Sequence, residues 1–254
     1  SVLPSAKLCA PFRALFHVVL IFVNPNKNPM KEFLDLYQLS GCFANLPKQE
    51  MEYLSKHKTQ VKYYKGEMLF KQGAFAPHVL FVNEGHVLAY LQIGRVKQLN
   101  IRILRQGDLM AFSSLFQNLT YLYSAVALSD VTLCMIEKEA LKKILLRNPD
   151  VALKIMEKNC SEENRYLHII NNISYKQMPG KLAAALLYLN QEQFKEDDIY
   201  ELLTRKNIAD FAGITVESTV KFLKEFEAEG MLELSGKQVN ILDIEKLTNI
   251  YQHG

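Results

Sequence analysis

Glu217, Lys221 and Lys224 fall at i, i+4 and i+7, the spacing that gathers side chains on one face of a helix. A carboxylate there can accept a hydrogen bond from cytosine N4. An ammonium group can reach a guanine edge or a phosphate as a point charge. Thr219, Phe222, Leu223 and Phe226 form an apolar stripe on the opposite side of the same helix. Thr215 stands where an N-cap belongs, with Val216 and Ser218 in the first turn. Upstream, Thr204 can cap a shorter helix in which Ala209 permits close contact, and Gly213 supplies its end. Two helices across a short turn containing glycine predict a helix-turn-helix whose second member enters the major groove. Beyond Gly230, Met231 to Leu242 alternates about Ser235-Gly236-Lys237, the pattern of a β-hairpin wing. Thr215 at a helix N-terminus and Lys237 at a wing tip are the expected phosphate contacts, which completes a set of Thr215, Val216, Glu217, Ser218, Lys221, Lys224 and Lys237.

The elements that must hold this unit occupy the rest of the chain. Its 254 residues are 49% hydrophobic and 22% charged, which excludes a mainly disordered or collagen-like chain. Net charge is +3, and residues 204–254 carry six basic against eight acidic side chains, so any affinity for a polyanion rests on placement. Cys9, Cys42, Cys134 and Cys160 have no zinc-ligand or C-x-x-C spacing and read as buried free thiols of a reducing cytosol. No Walker loop, G-x-S-x-G or H-E-x-x-H occurs, so an enzyme is the least expected class. The apolar run Ala14 to Val23 is too short to span a bilayer. It resembles a signal-peptide core without the usual cleavage residues, and Met30 is an alternative start of the functional chain, with residues 1–29 an upstream extension.

From Met30 to Lys56 the pattern is helical, with Pro47 in the first turn of a second helix. From Thr59 it alternates, with turns at Gly66, Gly73, Gly85, Gly94 and Gly107, as in a small antiparallel roll. Helical period returns with Lys138 to Leu146, ended by Asn148-Pro149. From Asp150 a long helix carries Leu153, Met156, Cys160, Leu167 and Ile170 at 3-4 spacing, interrupted by Glu163. Such a narrow seam suits pairing with a second copy; the other reading is a core helix packed on its own roll. A further helix spans Lys181 to Asn190.

Over about residues 38–248 the sequence resembles the bacterial Crp/Fnr transcription regulators. The resemblance is carried by Tyr64 to Gly73 (YKGEMLFKQG), Leu80 to Val87 (LFVNEGHV), Gln106-Gly-Asp108, Val126 to Asp130 (VALSD) and the helix-turn-helix with its hairpin. It implies an α+β fold: an N-terminal antiparallel β-roll, jelly-roll-like and cyclic-nucleotide-binding-like, then a long dimerisation helix, then a C-terminal winged helix-turn-helix. The expected boundaries are 30–148, 149–178 and 179–254, after the extension 1–29. It also implies a cytoplasmic homodimer with double-stranded DNA and RNA polymerase as partners, no membrane association, and a small-molecule effector.

The family's recognition helix usually reads Ser-Arg-Glu-Thr-Val-x-Arg; here Thr215-Val-Glu-Ser-Thr-Val-Lys221 stands in its place. Glu217 matches, whereas Val216 and Lys221 replace arginines, which predicts a different operator. Members that bind cyclic AMP carry Gly-Glu-Leu and, some ten residues on, Arg-Ser. Ala111 to Phe116 and Tyr121 to Ser124 stand there instead and lack both the glutamate and the arginine. A buried phosphate without a cation is heavily penalised, so no cyclic nucleotide is expected. Iron-sulfur ligation lacks the four clustered thiolates it needs, and His78 and His86 are more simply surface residues than haem ligands. No cofactor or metal is expected. Met110, Phe112, Tyr121 and Tyr123 either line an apolar effector pocket or fill the roll.

Overall fold

The computed structural model describes Phe43 and residues 46–254, except 95, 96, 117, 118 and 196. The expectations for residues 1–42, including Cys9, Cys42 and the start at Met30, lie outside the described residues.

Alternation from residue 58 produces two four-stranded antiparallel sheets. In chain order the strands are β1 (Lys58–Tyr63), β2 (Met68–Phe70), β3 (His78–Glu84), β4 (Val87–Ile93), β5 (Lys97–Leu104), β6 (Leu109–Met110), β7 (Ser124–Ala127) and β8 (Val131–Glu137). One sheet runs β1-β8-β3-β6 and the other β2-β7-β4-β5, so strands of both sheets alternate along the chain as in a jelly roll. Their inner faces share a core of Phe70, Leu80, Val82, Val87, Ala89, Ile101, Leu104, Met110 and Leu133. Gly85 makes the β3–β4 corner possible. Its φ of +87° suits glycine, and a Cβ there would stand 2.1 Å from the Asp130 carbonyl oxygen.

Both outer faces are covered. Helices α1 (Lys48–Lys56) and α2 (Lys138–Arg147), with the start of α3 (Pro149–Tyr175), cover the first sheet through Met51, Leu54, Leu141, Ile144, Val151 and Ile155 on Val79, Phe81, Cys134 and Ile136. Strand β3 is therefore buried on both faces, which explains the unbroken apolar run Val79 to Val82. Pro47 stands at the N-cap of α1, one residue before the first turn expected for it.

The other sheet is covered by the C-terminal elements: α4 (Met178–Leu189), the short α5 (Glu192–Lys195) and α6 (Ile199–Leu202), α7 (Arg205–Ala212), α8 (Val216–Ala228), the hairpin β9 (Leu232–Ser235) with β10 (Gln238–Ile241), and α9 (Ile244–His253). Leu88, Ile103 and Leu128 of the roll belong to the same core as Leu182, Leu186, Phe194, Ile208, Leu223 and Leu247. Polar ties reinforce this seat. The Tyr188 hydroxyl accepts from the Ile103 N–H at 2.9 Å, Asn100 Nδ2 donates to the Asn207 carbonyl at 3.0 Å, and Arg105 Nη1 donates to the Gln193 carbonyl at 2.7 Å.

The C-terminal part departs from expectation at one helix start and in one additional helix. α4 begins at Met178 instead of Lys181, because Pro179 falls in a first turn that has no use for its missing N–H. The terminal helix α9 was not foreseen; Asp243 caps it by accepting from the Lys246 N–H, and Leu247 buries its inner side.

Candidate nucleic-acid interface

The helix-turn-helix is built by its caps. Thr204 Oγ1 accepts from the Asn207 N–H at 3.1 Å while Asn207 Oδ1 accepts from the Thr204 N–H at 2.8 Å, a reciprocal capping box that starts α7. Gly213 ends α7 in the left-handed region with φ +66°. Thr215 then caps α8 by accepting from the Ser218 N–H at 3.1 Å. Inside, Thr219, Leu223 and Phe226 are buried, and Phe222 is half-buried. Thr219 satisfies its hydroxyl by donating to the Thr215 carbonyl at 2.9 Å.

Glu217, Lys221 and Lys224 are exposed together on the outer face of α8. Hydrogen bonds from its own backbone N–H and from Thr215 hold the Glu217 carboxyl below its ordinary range, so it stands ionised as a pure acceptor. Lys221 lies 3.8 Å from Glu225 and over the Phe222 ring, a surface pairing that an incoming phosphate or base can displace. Val216 and Val220 are each 37% exposed. Helical spacing puts Val220 on the same face, one turn after Glu217 and one turn before Lys224, a position that the spacing alone marks. Lys237 sits at the wing tip as expected, but its ammonium donates to the Glu201 carbonyl at 3.2 Å. The wing is braced by Arg205, which donates to the Gly236 and Lys237 carbonyls at 2.9 and 3.2 Å, a role that sequence spacing did not suggest.

The seam residues Leu153, Met156, Leu167 and Ile170 are 56, 57, 59 and 60% exposed, and Cys160 is exposed beside them. Four apolar side chains in water along one helix face are an unmet burial demand. Beside the seam, a cavity of about 580 Å³ opens between the roll and α3, walled by Leu99, Ile101, Leu109, Phe112, Leu122, Tyr123, Tyr166 and Ile170. Of the expected pocket residues, Phe112 and Tyr123 line it. Met110 and Tyr121 do not: Met110 is fully buried in the roll core, and Tyr121 stacks on Phe70 with ring centroids 3.9 Å apart. Met110 ends β6 and Tyr121 lies in the segment before β7, and both side chains pack into the roll core. Burial pushes the Tyr123 phenol up to about 12, and its hydroxyl accepts from the Ala111 N–H at 3.1 Å.

Arg102 is the cavity's arginine, but it is already engaged. It meets Asp108 at 2.9 Å and Glu162 at 3.4 Å, and Lys158 meets Asp108 at 2.6 Å. Arg165 completes the chain through Glu162 and the Ile101 carbonyl. Burial opposes the Asp108 charge, yet Arg102 and Lys158 outweigh it and hold that carboxyl below its usual range. The Gln106-Gly-Asp108 turn thereby clamps the roll to the long helix. Among the described residues, no cluster of three or more His, Cys, Asp or Glu could hold a metal, and no helix is long and apolar enough to cross a membrane. Cys134 is buried and its thiol is pushed up to about 11 by that burial.

Comparison with known proteins matches these two halves in order. The family model of the cyclic nucleotide-binding domain fits residues 60–148, and that of the Crp-like helix-turn-helix domain fits residues 180–250. The chain belongs to the Crp/Fnr family of transcription regulators. Among relatives, the CRP-like cAMP-activated global transcriptional regulator of Mycobacterium tuberculosis is 22% identical over 212 residues, covering 82% of this chain and 95% of that one. The fumarate and nitrate reduction regulatory protein of Escherichia coli is 25% identical over 193 residues, 74% and 77% of the two chains. In fold, FixK2 of Bradyrhizobium japonicum superposes with a TM-score of 0.67 at 20% identity, covering 76% of this chain and 96% of that one. Within the Crp/Fnr frame, Val216 and Lys221 occupy the two exposed positions where the family's usual pattern has arginine, and α8 here presents two valines beside one ionised carboxylate and two lysines.

Proposed function

We propose that this chain is a sequence-specific, DNA-binding transcription regulator acting in the cytoplasm as a homodimer, in contact with RNA polymerase. The observation that carries this reading is the exposed face of α8, where Glu217, Lys221 and Lys224 project from a helix locked in place by Thr215, Thr219 and the roll-docked α7. Glu217 reads cytosine, Lys221 reads guanine or phosphate, and Val216 and Val220 meet thymine methyl groups. Thr215, Ser218, Lys224 and Lys237 serve the backbone. The seam Leu153, Met156, Cys160, Leu167 and Ile170 pairs with a second copy, which supplies the second helix for a half-site about one helical turn away. The effector occupies the cavity beside that seam through Phe112 and Tyr123. Its walls are mainly apolar and its one arginine is spent on Asp108 and Glu162, which favours an apolar molecule over a cyclic nucleotide.

Fluorescence anisotropy on fragments of the protein's own upstream DNA tests this. The expected result is salt-sensitive binding of one site that Lys221→Glu abolishes. A second reading, that the helix-turn-helix grips a protein, is favoured by the exposed Val216 and Val220 and by the acidic balance of residues 204–254. Retention of a partner and absence of DNA binding with either sequence at position 221 would establish it instead.

A further inference from the structure

A second cavity, of about 290 Å³, lies where the roll, the long helix and the winged helix-turn-helix meet. The roll contributes Asn100 and Ile101; α3 contributes Arg165, His168, Ile169, Asn172 and Ile173; α4, α7 and α9 contribute Lys181, Ala184, Tyr188, Phe211 and Tyr251. Ile101, Ile169 and Ile173 line both this cavity and the larger one, so the two are neighbours across that wall. The α3 residues here stand roughly 170° around the helix from the self-pairing seam, so a second copy does not cover them.

Three features define what fits. Arg165 and Lys181 line the cavity and no carboxylate does, which suits an anionic ligand group. Arg165 is spent on Glu162 and the Ile101 carbonyl, whereas among the described residues Lys181 makes no ion pair. Asn172 Oδ1 is buried with no hydrogen-bond partner among the described residues, an acceptor waiting for a donor. The remaining walls, Ile169, Ile173, Ala184 and Phe211, are apolar. A small pocket at a domain junction with a few convergent polar groups is the usual form of a ligand site.

We infer that this junction binds a small aromatic carboxylic acid bearing a hydrogen-bond donor, with the carboxylate on Lys181, the ring among Ile169, Ile173 and Phe211, and the donor on Asn172. Such a ligand bridges the long helix and the winged helix-turn-helix, with Asn100 and Ile101 of the roll in the adjoining wall. It stabilises the seat of α7 on the roll, and with it the position of α8, by mass action on the docked arrangement.

Isothermal titration calorimetry of the full chain with 4-hydroxyphenylacetate tests the site without DNA, so it succeeds or fails independently of the proposed regulator function. Saturable binding is expected, weakened at least about tenfold for 4-hydroxyphenylacetamide and for Lys181→Gln, since each removes one charge of the pair. Phenylacetate, lacking the donor, should bind more weakly than the hydroxylated probe. Ala184→Phe should fill the cavity and abolish binding, whereas Leu122→Trp, in the larger cavity, should leave it intact. Thermal melting verifies that each variant is folded, and Lys181→Gln decides if Ala184→Phe is not. Absence of saturable heat at millimolar probe, equal affinity for acid and amide, or loss of binding in Leu122→Trp with retention in Lys181→Gln each overturns the assignment.

Discussion

Asp108→Asn removes the centre of the clamp between roll and long helix while keeping its shape. The Asp108 side chain is 12% exposed and accepts from Arg102 Nη2 at 2.9 Å, Lys158 Nζ at 2.6 Å and the Arg105 N–H at 2.9 Å. Asparagine retains one acceptor but sets an amide NH2 against a cation. The buried Arg102 bond falls from charge-assisted to neutral, a loss of about 1.5 kcal/mol. Lys158 is 37% exposed, so solvent screening limits its share to roughly 0.5 kcal/mol. Arg102 keeps Glu162 at 3.4 Å and is not orphaned, which holds the whole effect below the ~3–5 kcal/mol of a fully broken buried pair. The expected loss is therefore about 2 kcal/mol at neutral pH, read as a fall of roughly 1 M in the urea midpoint. Circular dichroism and tyrosine emission can follow it, since the chain has no tryptophan and 12 tyrosines. Because the native Asp108 pKa is depressed, its stabilisation is fully present above the unfolded carboxyl range and disappears as pH falls through the native value. The gap between the two proteins should be constant from pH 7 to pH 5 and narrow below about pH 4. A variant within 0.5 kcal/mol of the parent, or a gap indifferent to acid, would refute the clamp.

Three further outcomes follow from the geometry. Gly213→Ala should cost about 1–2 kcal/mol by thermal melting although its Cβ meets only Ile173 and Leu99 at 3.7 Å, because φ is +66°; Gly213→Asn should lose less. Thr204→Ala, which opens the capping box of α7, should cost about 1 kcal/mol and weaken DNA binding together with stability. Ile170→Glu should convert a sedimenting dimer to a monomer with an unchanged far-ultraviolet spectrum, since that side chain is 60% exposed within one chain.

Much of the fold was legible because its signals are local. Glycine-punctuated alternation marked the roll, and Thr204, Gly213 and Thr215 marked the helix-turn-helix, since caps and positive-φ turns are decided within a few residues. The face of Glu217, Lys221 and Lys224 followed from helical period alone. The bracing role of Arg205 was not legible, because its contacts lie 31 and 32 residues away. The terminal helix was missed although Asp243 and Lys246 bear its cap.

Sequence by itself thus determined the strand-bearing roll, the long helix and the helix-turn-helix with its hairpin, where the second helix of that unit begins, and which of its side chains point outward. Only the tertiary structure decided that Met110 and Tyr121 face the roll core while Phe112 and Tyr123 face a cavity, that the Gln106-Gly-Asp108 turn is a clamp, and that the winged helix-turn-helix shares a core with the roll. Period and capping depend on neighbours along the chain, whereas which face of a strand meets a cavity, and which charge meets which, depends on segments that the sequence leaves far apart and only packing brings together.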